Sequence, residues 1–151
     1  PEKQQLCLDL GADRAIGYRD EDFVPVLNEA GGADVILDNM GAKYLGSNVA
    51  ALAPEGRLVI IGMQGGTRAE LDIAALLGKR GAVIATSLRA RPSAEKAAIC
   101  RAVEEHVWPL VADGSISTMV GAEFGLDEVP AAHALMESGE HSGKILLRTG
   151  G

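Results

Sequence analysis

With 151 residues, 47% of them hydrophobic but only 3% aromatic, the chain is long enough to bury one core, and that core must be aliphatic. Fourteen basic against 21 acidic residues give a formal charge of −7, which argues against a general nucleic-acid or anionic-membrane surface but leaves room for a local basic pocket. The two cysteines, Cys7 and Cys100, lie far apart and read as reduced packing residues, no Cys/His cluster has zinc spacing, and no apolar run could span a bilayer, so the expectation is a soluble, cytoplasmic protein.

Pro1 to Leu10 predicts a helix from the first residue, with Gly11 as its stop and no strand ahead of it. Arg14-Ala15-Ile16-Gly17-Tyr18 is a short strand candidate. The acids Asp20-Glu21-Asp22 mark the next helix N-terminus, Pro25 falls within the first turn, where a missing N–H costs little, and Gly31-Gly32 closes the helix. Ala33-Asp34-Val35-Ile36-Leu37-Asp38 is apolar on both faces and predicts a buried strand. Gly41 to Leu52 predicts a helix, Ala53-Pro54-Glu55-Gly56 a turn, and Arg57 to Gly62 a second strand, the most β-branched run of the chain. A loop over Met63 to Thr67 leads to a short helix, Leu71 to Lys79, and to a third strand, Ala82 to Leu88. Ser93 stands as the cap of the longest helix, which Pro109 should break near Trp108 and whose tail ends at Gly114. Val120 to Phe124 predicts an exposed strand, Asp127-Glu128-Val129-Pro130 the start of a small helix, and Gly143 to Arg148 a final strand.

Short apolar strands alternating with helices indicate an α/β fold around a parallel sheet. Such folds hold a phosphate-binding glycine turn in their first strand–helix unit, and here that unit is expected to be missing. Gly62-Met63-Gln64-Gly65-Gly66 does follow a strand, but its spacing is wrong and no long helix follows, so it reads as a loop rather than a pyrophosphate cradle.

Leu10-Gly11-Ala12-Asp13, Tyr18-Arg19-Asp20-Glu21-Asp22-Phe23, Gly32 to Asp38, Gly56-Arg57-Leu58-Val59 and Ala131-Ala132-His133 through Gly143-Lys144-Ile145 resemble, in order and spacing, the medium-chain dehydrogenase/reductases. Leu77-Gly78-Lys79-Arg80-Gly81 and Thr86-Ser87-Leu88-Arg89-Ala90-Arg91 are most similar to the zinc-independent NADPH:quinone oxidoreductase branch. The resemblance covers essentially the whole chain. It implies an α/β fold with a partial Rossmann-like parallel sheet lacking its first strand–helix–strand unit. Residues 1–114 would be a partial dinucleotide-binding domain, and 115–151 a C-terminal segment returning to a catalytic domain. The strand order of such sheets would leave Ala15 to Tyr18 without a neighbour and Val35 to Asp38 as an open edge, inviting a second chain.

The same resemblance implies an NADPH-dependent enzyme that transfers hydride to a quinone or a related activated carbonyl or alkene, with this chain alone inactive. Lys3 and Tyr18 would hold the adenosine 2′-phosphate, an ammonium supplying charge and a phenol stacking or donating. Gly41 and Ala42, after the strand ending at Asp38, would approach the cofactor ribose. As a plain turn the same segment needs only Asn39 as a cap. Gly62, Met63 and Gln64 would line the nicotinamide ribose, and Ser87 and Leu88 would meet the carboxamide, with Arg89 and Arg91 undecided. No histidine, carboxylate pair or nucleophile reads as catalytic, and no metal is expected. The partners implied are a small quinone-like acceptor and a second copy, joined through Ala82 to Leu88 or an exposed sheet edge. The alternatives are an alkenal or enoyl reductase of the same superfamily and a non-catalytic nucleotide-binding or assembly module.

Overall fold

The structure, a computed structural model, describes residues 2–150. It divides into two compact units, one through Arg91 and one from Pro92 onward.

The first unit opens with helix α1 (Glu2–Asp9), which Gly11 closes at a φ of +99°. Arg14 to Tyr18 forms no strand. It runs as a loop with no strand beside it among the described residues, so its backbone has no ladder to join. In helix α2 (Phe23–Glu29) the Asp22 carboxylate accepts from the Val24 amide. Gly31 and Gly32 then turn the chain at φ values of +97° and +89°.

Strand β1 (Ala33–Asp38) has the expected bounds. The helix expected over Gly41–Leu52 is two pieces, a 3-10 turn over Gly41–Tyr44 and helix α3 (Leu45–Ala51). Strand β2 (Leu52–Ile60) absorbs the expected turn at Ala53–Gly56 as a bulge. Ala33 pairs with Leu52 and Val35 already with Arg57, and the excess chain is taken up with Glu55 at a φ of 65°. Helix α4 (Ile73–Lys79) begins later than expected because the Asp72 carboxylate caps it, accepting from the Ala75 amide. Strand β3 (Ala82–Ala85) stops before Thr86.

The three strands are parallel in the order β1-β2-β3, the arrangement that strand–helix–strand crossovers produce. Val49, Leu52 and Leu58 form the fully buried centre, with Ile36, Ile60 and Val83 from the sheet and Leu45, Ala75 and Leu76 from α3 and α4 against it. Fully burying a valine or leucine, as at Val49, Leu52 and Leu58, contributes roughly 1.5–3 kcal/mol over the exposed state. The opposite face of the same strands is not buried as expected: Val35 is 54% exposed, Leu37 68% and Ile84 43%.

In the second unit, helix α5 (Ser93–His106) starts at Ser93 itself. Its cap position is Pro92, which offers no side-chain bond, so Ser93 is not the cap expected of it. Helix α6 (Trp108–Ala112) takes Pro109 into its first turn, the break the sequence called for. The chain turns at Gly114 with a φ of +82°, after Asp113, whose carboxyl is held below the usual carboxylate range by hydrogen bonds from the Ser115 side chain and amide. Strand β4 (Val120–Gly125), helix α7 (Val129–Ser138) and strand β5 (Lys144–Arg148) make a second parallel strand–helix–strand unit. Cys7 and Cys100 are free thiols but exposed, not packed inside as their helical positions suggested.

Candidate functional site

Asp38, Ile60 and Ala85 stand at one level of the sheet, so the segments that follow β1, β2 and β3 leave its carboxyl edge together. Asp38 shares the parity of Ile36 and points to the covered face, where it is 5% exposed. Its charge is met by the backbone: one carboxylate oxygen accepts from the Met40 amide and the other from the Gly41 amide, each at 2.8 Å. Asp38, not Asn39, is therefore the capping residue of this turn.

The first two segments are laced together. The Ile61 amide donates to the Asp38 carbonyl at 2.7 Å, Gln64 to Asn39 at 3.2 Å, Gly65 to Met40 at 2.7 Å and Ala42 to Gly66 at 3.1 Å. Glycine is required where they cross. A Cβ on Gly62 would lie 2.6 Å from the Asn39 carbonyl oxygen, and one on Gly41 would lie 3.0 Å from that of Gly66, at a φ of +71°. Gly41 is buried and Ala42 half-buried in this seam, whereas Met63 and Gln64 stand exposed at its rim. The third segment continues the ladder briefly, the Thr86 amide donating to the Ile60 carbonyl at 3.2 Å. Ser87 and Leu88 then emerge exposed, and Arg91 folds back to Leu88 through its amide and to Thr86 Oγ1 through its guanidinium.

Lys3 and Tyr18 lie on two segments, α1 and the loop after it, that touch through the neighbours of these two residues. Gln4 Nε2 donates to the Ala15 carbonyl at 3.2 Å, and Gly17 leaves room for the same amide, so α1 is fastened one residue from each. Arg14 pairs with Glu21 across the loop, and the Arg19 guanidinium lies 5.9 Å from the centre of the exposed Tyr18 ring. Phe23, at the start of α2, meets Tyr44 edge-on at 5.8 Å between centroids. That contact ties the turn after Tyr18 to the segment following β1, on the carboxyl side of the sheet.

The histidines converge on nothing: His106 and His133 are exposed on helices, and His141 sits 3.3 Å from the Leu135 carbonyl. Among the described residues, no group of three His, Cys, Asp or Glu side chains could hold a metal. The edge offers backbone groups, small residues and cations, which suit holding and orienting a ligand. Asp38 and Arg19 were not singled out by residue type. The signal for Asp38 was an acid ending an apolar strand, followed within three residues by a glycine.

A family model described as zinc-binding dehydrogenase matches residues 10–147. The chain belongs to that family. Among these dehydrogenase/reductases it is similar to quinone oxidoreductase-like protein 2 of Bos taurus, 28% identical over 149 residues, 97% of this chain and 42% of that one. The quinone oxidoreductase of Thermus thermophilus, solved also in complex with NADPH, superposes with a TM-score of 0.81 at 31% identity, over 99% of this chain and 47% of that one. A phenolphthiocerol/phthiocerol polyketide synthase chain of Mycobacterium tuberculosis is 30% identical over 142 residues, 91% of this chain and 6% of that protein. The chain thus spans less than half the length of these relatives. The medium-chain dehydrogenase/reductase resemblance and the α/β, Rossmann-like fold expected from the sequence both stand.

Proposed function

We propose that this chain is the cofactor-binding part of an NADPH-dependent oxidoreductase that transfers hydride, without zinc, to a quinone or a related activated carbonyl or alkene. The observation that carries this reading is the common carboxyl edge of β1, β2 and β3, where parallel α/β sheets bind their ligands. The residues there fit a nicotinamide cofactor. Gly41 and Ala42 would let a ribose approach the laced backbone, Gly62, Met63 and Gln64 would flank the nicotinamide ribose, and Ser87 and Leu88 would meet the carboxamide. Lys3 and Tyr18 would receive the adenosine 2′-phosphate, an ammonium and a phenol; the bond from Gln4 to the Ala15 carbonyl, which fastens α1 to the loop leading to Tyr18, supports this reading. The cofactor, when bound, supplies the hydride; the protein orients it.

Zinc independence is supported by the likeness of Leu77 to Gly81 and Thr86 to Arg91 to the quinone oxidoreductase branch. The outer edge of β3 has no strand beside it among the described residues, which supports pairing of two copies through Ala82 to Leu88. Residues 115–151 would associate with a catalytic domain. No helix among the described residues is long and apolar enough to cross a membrane.

Calorimetric titration of NADPH and of NADH into the chain tests the reading. Micromolar binding that prefers NADPH is expected, with Lys3→Ala weakening NADPH by roughly tenfold, about 1.4 kcal/mol, and leaving NADH unchanged. Equal binding of both would favour a generic nucleotide module, and no binding would reject the cofactor role for this chain. A second reading within the same superfamily is an alkenal or enoyl reductase. Acceptor assays with quinones against enones separate the two.

A further inference from the structure

We propose that Asp38 is a positioning residue for the nicotinamide end of the cofactor, acting through the backbone of the strand-end loops; this rests on the cofactor role proposed above for those loops. Asp38 is a charged group buried to 5% exposure, and the bonds it accepts go to backbone. A carboxylate is a costly side chain to bury, and nothing in the core of β1 demands one. Its two oxygens take the Met40 and Gly41 amides, and its own carbonyl takes the Ile61 amide at 2.7 Å.

The side chain therefore fixes the direction in which the chain leaves β1, while the backbone bond from Ile61, which any residue at this position would accept, holds the loop after β2 beside it. The consequences reach Gly41, held at a φ of +71°, and then Gly62, whose missing Cβ would lie 3.2 Å or less from three Asn39 backbone atoms. Asn at position 38 would supply one acceptor of the right shape, but its amide group would face a backbone N–H that has nothing else to donate to. The loop would then swing to satisfy that donor, and the seam with Gly65 and Gly66 would open. Asp38 touches no reacting atom in this account. Its work is to keep a surface made of backbone at one shape before the ligand arrives, so that binding does not have to order it.

The experiment is calorimetric titration of the full chain and of Asp38→Asn and Asp38→Ala with NADPH, NADH and 2′,5′-ADP, which carries the adenosine 2′-phosphate but no nicotinamide. Hydrogen exchange at the Met40 and Gly41 amides is followed alongside. Asp38→Asn is expected to weaken NADPH and NADH by the same factor, about tenfold, and Asp38→Ala by more, while 2′,5′-ADP stays within about twofold. The two amides should exchange faster in both variants. If Asp38→Ala does not fold, Asp38→Asn, which keeps one acceptor, still decides. Loss of all three ligands together would reduce Asp38 to a general stabiliser and overturn the inference, as would unchanged NADPH affinity in Asp38→Asn. Failure of the unaltered chain to bind NADPH would overturn the proposed function, and this inference with it.

Discussion

The two faces of the β1-β2-β3 sheet are built from alternate residues of the same strands, and they differ in finish rather than in composition. On one, Ile36, Leu58 and Val83 lie under α3 and α4 around a centre of fully buried aliphatic side chains. On the other, Val35, Leu37 and Ile84 are as apolar and remain 43–68% exposed. Strands of parallel sheets are apolar on both sides because helices normally cover both. The comparison shows that strand pattern specifies what a face requires, not whether the requirement is met. It also bears on the candidate site: Asp38 belongs to the finished side, and the turn that bonds to it leaves the sheet beside the closed core.

The sharpest break in this comparison is Leu58→Ala. The side chain is wholly buried between Val49 and Leu52, so truncation leaves a cavity, and a loss of about 2–5 kcal/mol is expected in chemical denaturation. A loss below about 1 kcal/mol would mean that this face is looser than its burial implies. Gly62→Ala should come next, at roughly 1–3 kcal/mol, because the new Cβ meets backbone that cannot rotate away. The hydrogen bond from Gln64 to Asn39 should fail with it, which faster exchange of the Gln64 amide would report. An unchanged melting temperature would show that the two loops slide freely and would undo the account of the seam. Asp72→Ala removes the cap of α4, one of the two helices covering the finished face, and should cost about 1 kcal/mol in the same denaturation series. A neutral result would mean that packing alone holds α4 in register.

Much of this was legible in the residues. β1 could be bounded to the residue because an apolar run ends in Asp38 and begins after Gly31-Gly32, and Pro109 gave away the break between α5 and α6. The misreadings share a cause, which is that the deciding partner lies elsewhere in the chain. Ala53 to Gly56 has turn chemistry, but pairing with β1 on either side draws it into the sheet as a bulge. Arg14 to Tyr18 has strand chemistry and no strand to pair with. At the site, the glycines pointed to close approach, but not to what approaches. Gly41 and Gly62 make room for each other's loops, a contact between segments some twenty residues apart that no local pattern encodes. Asp38 was hidden for the same reason, since a carboxylate at a strand end is ordinarily solvated.

The smallest effect is the one that tests the open face. Leu37 is 68% exposed, so exchanging it for serine removes little buried surface, and Leu37→Ser should change stability by no more than about 0.5 kcal/mol. The relevant control is Leu58→Ala, one residue along the adjacent strand from the position paired with Leu37 and on the opposite face. A ratio of several-fold between the two losses is what an uncovered face requires. If Leu37→Ser instead approaches the loss of Leu58→Ala, something covers Val35, Leu37 and Ile84 in solution. Light scattering then identifies it: a dimer that Leu37→Ser turns into monomers means a second copy supplies the missing layer, and the two faces differ only in which chain finishes them.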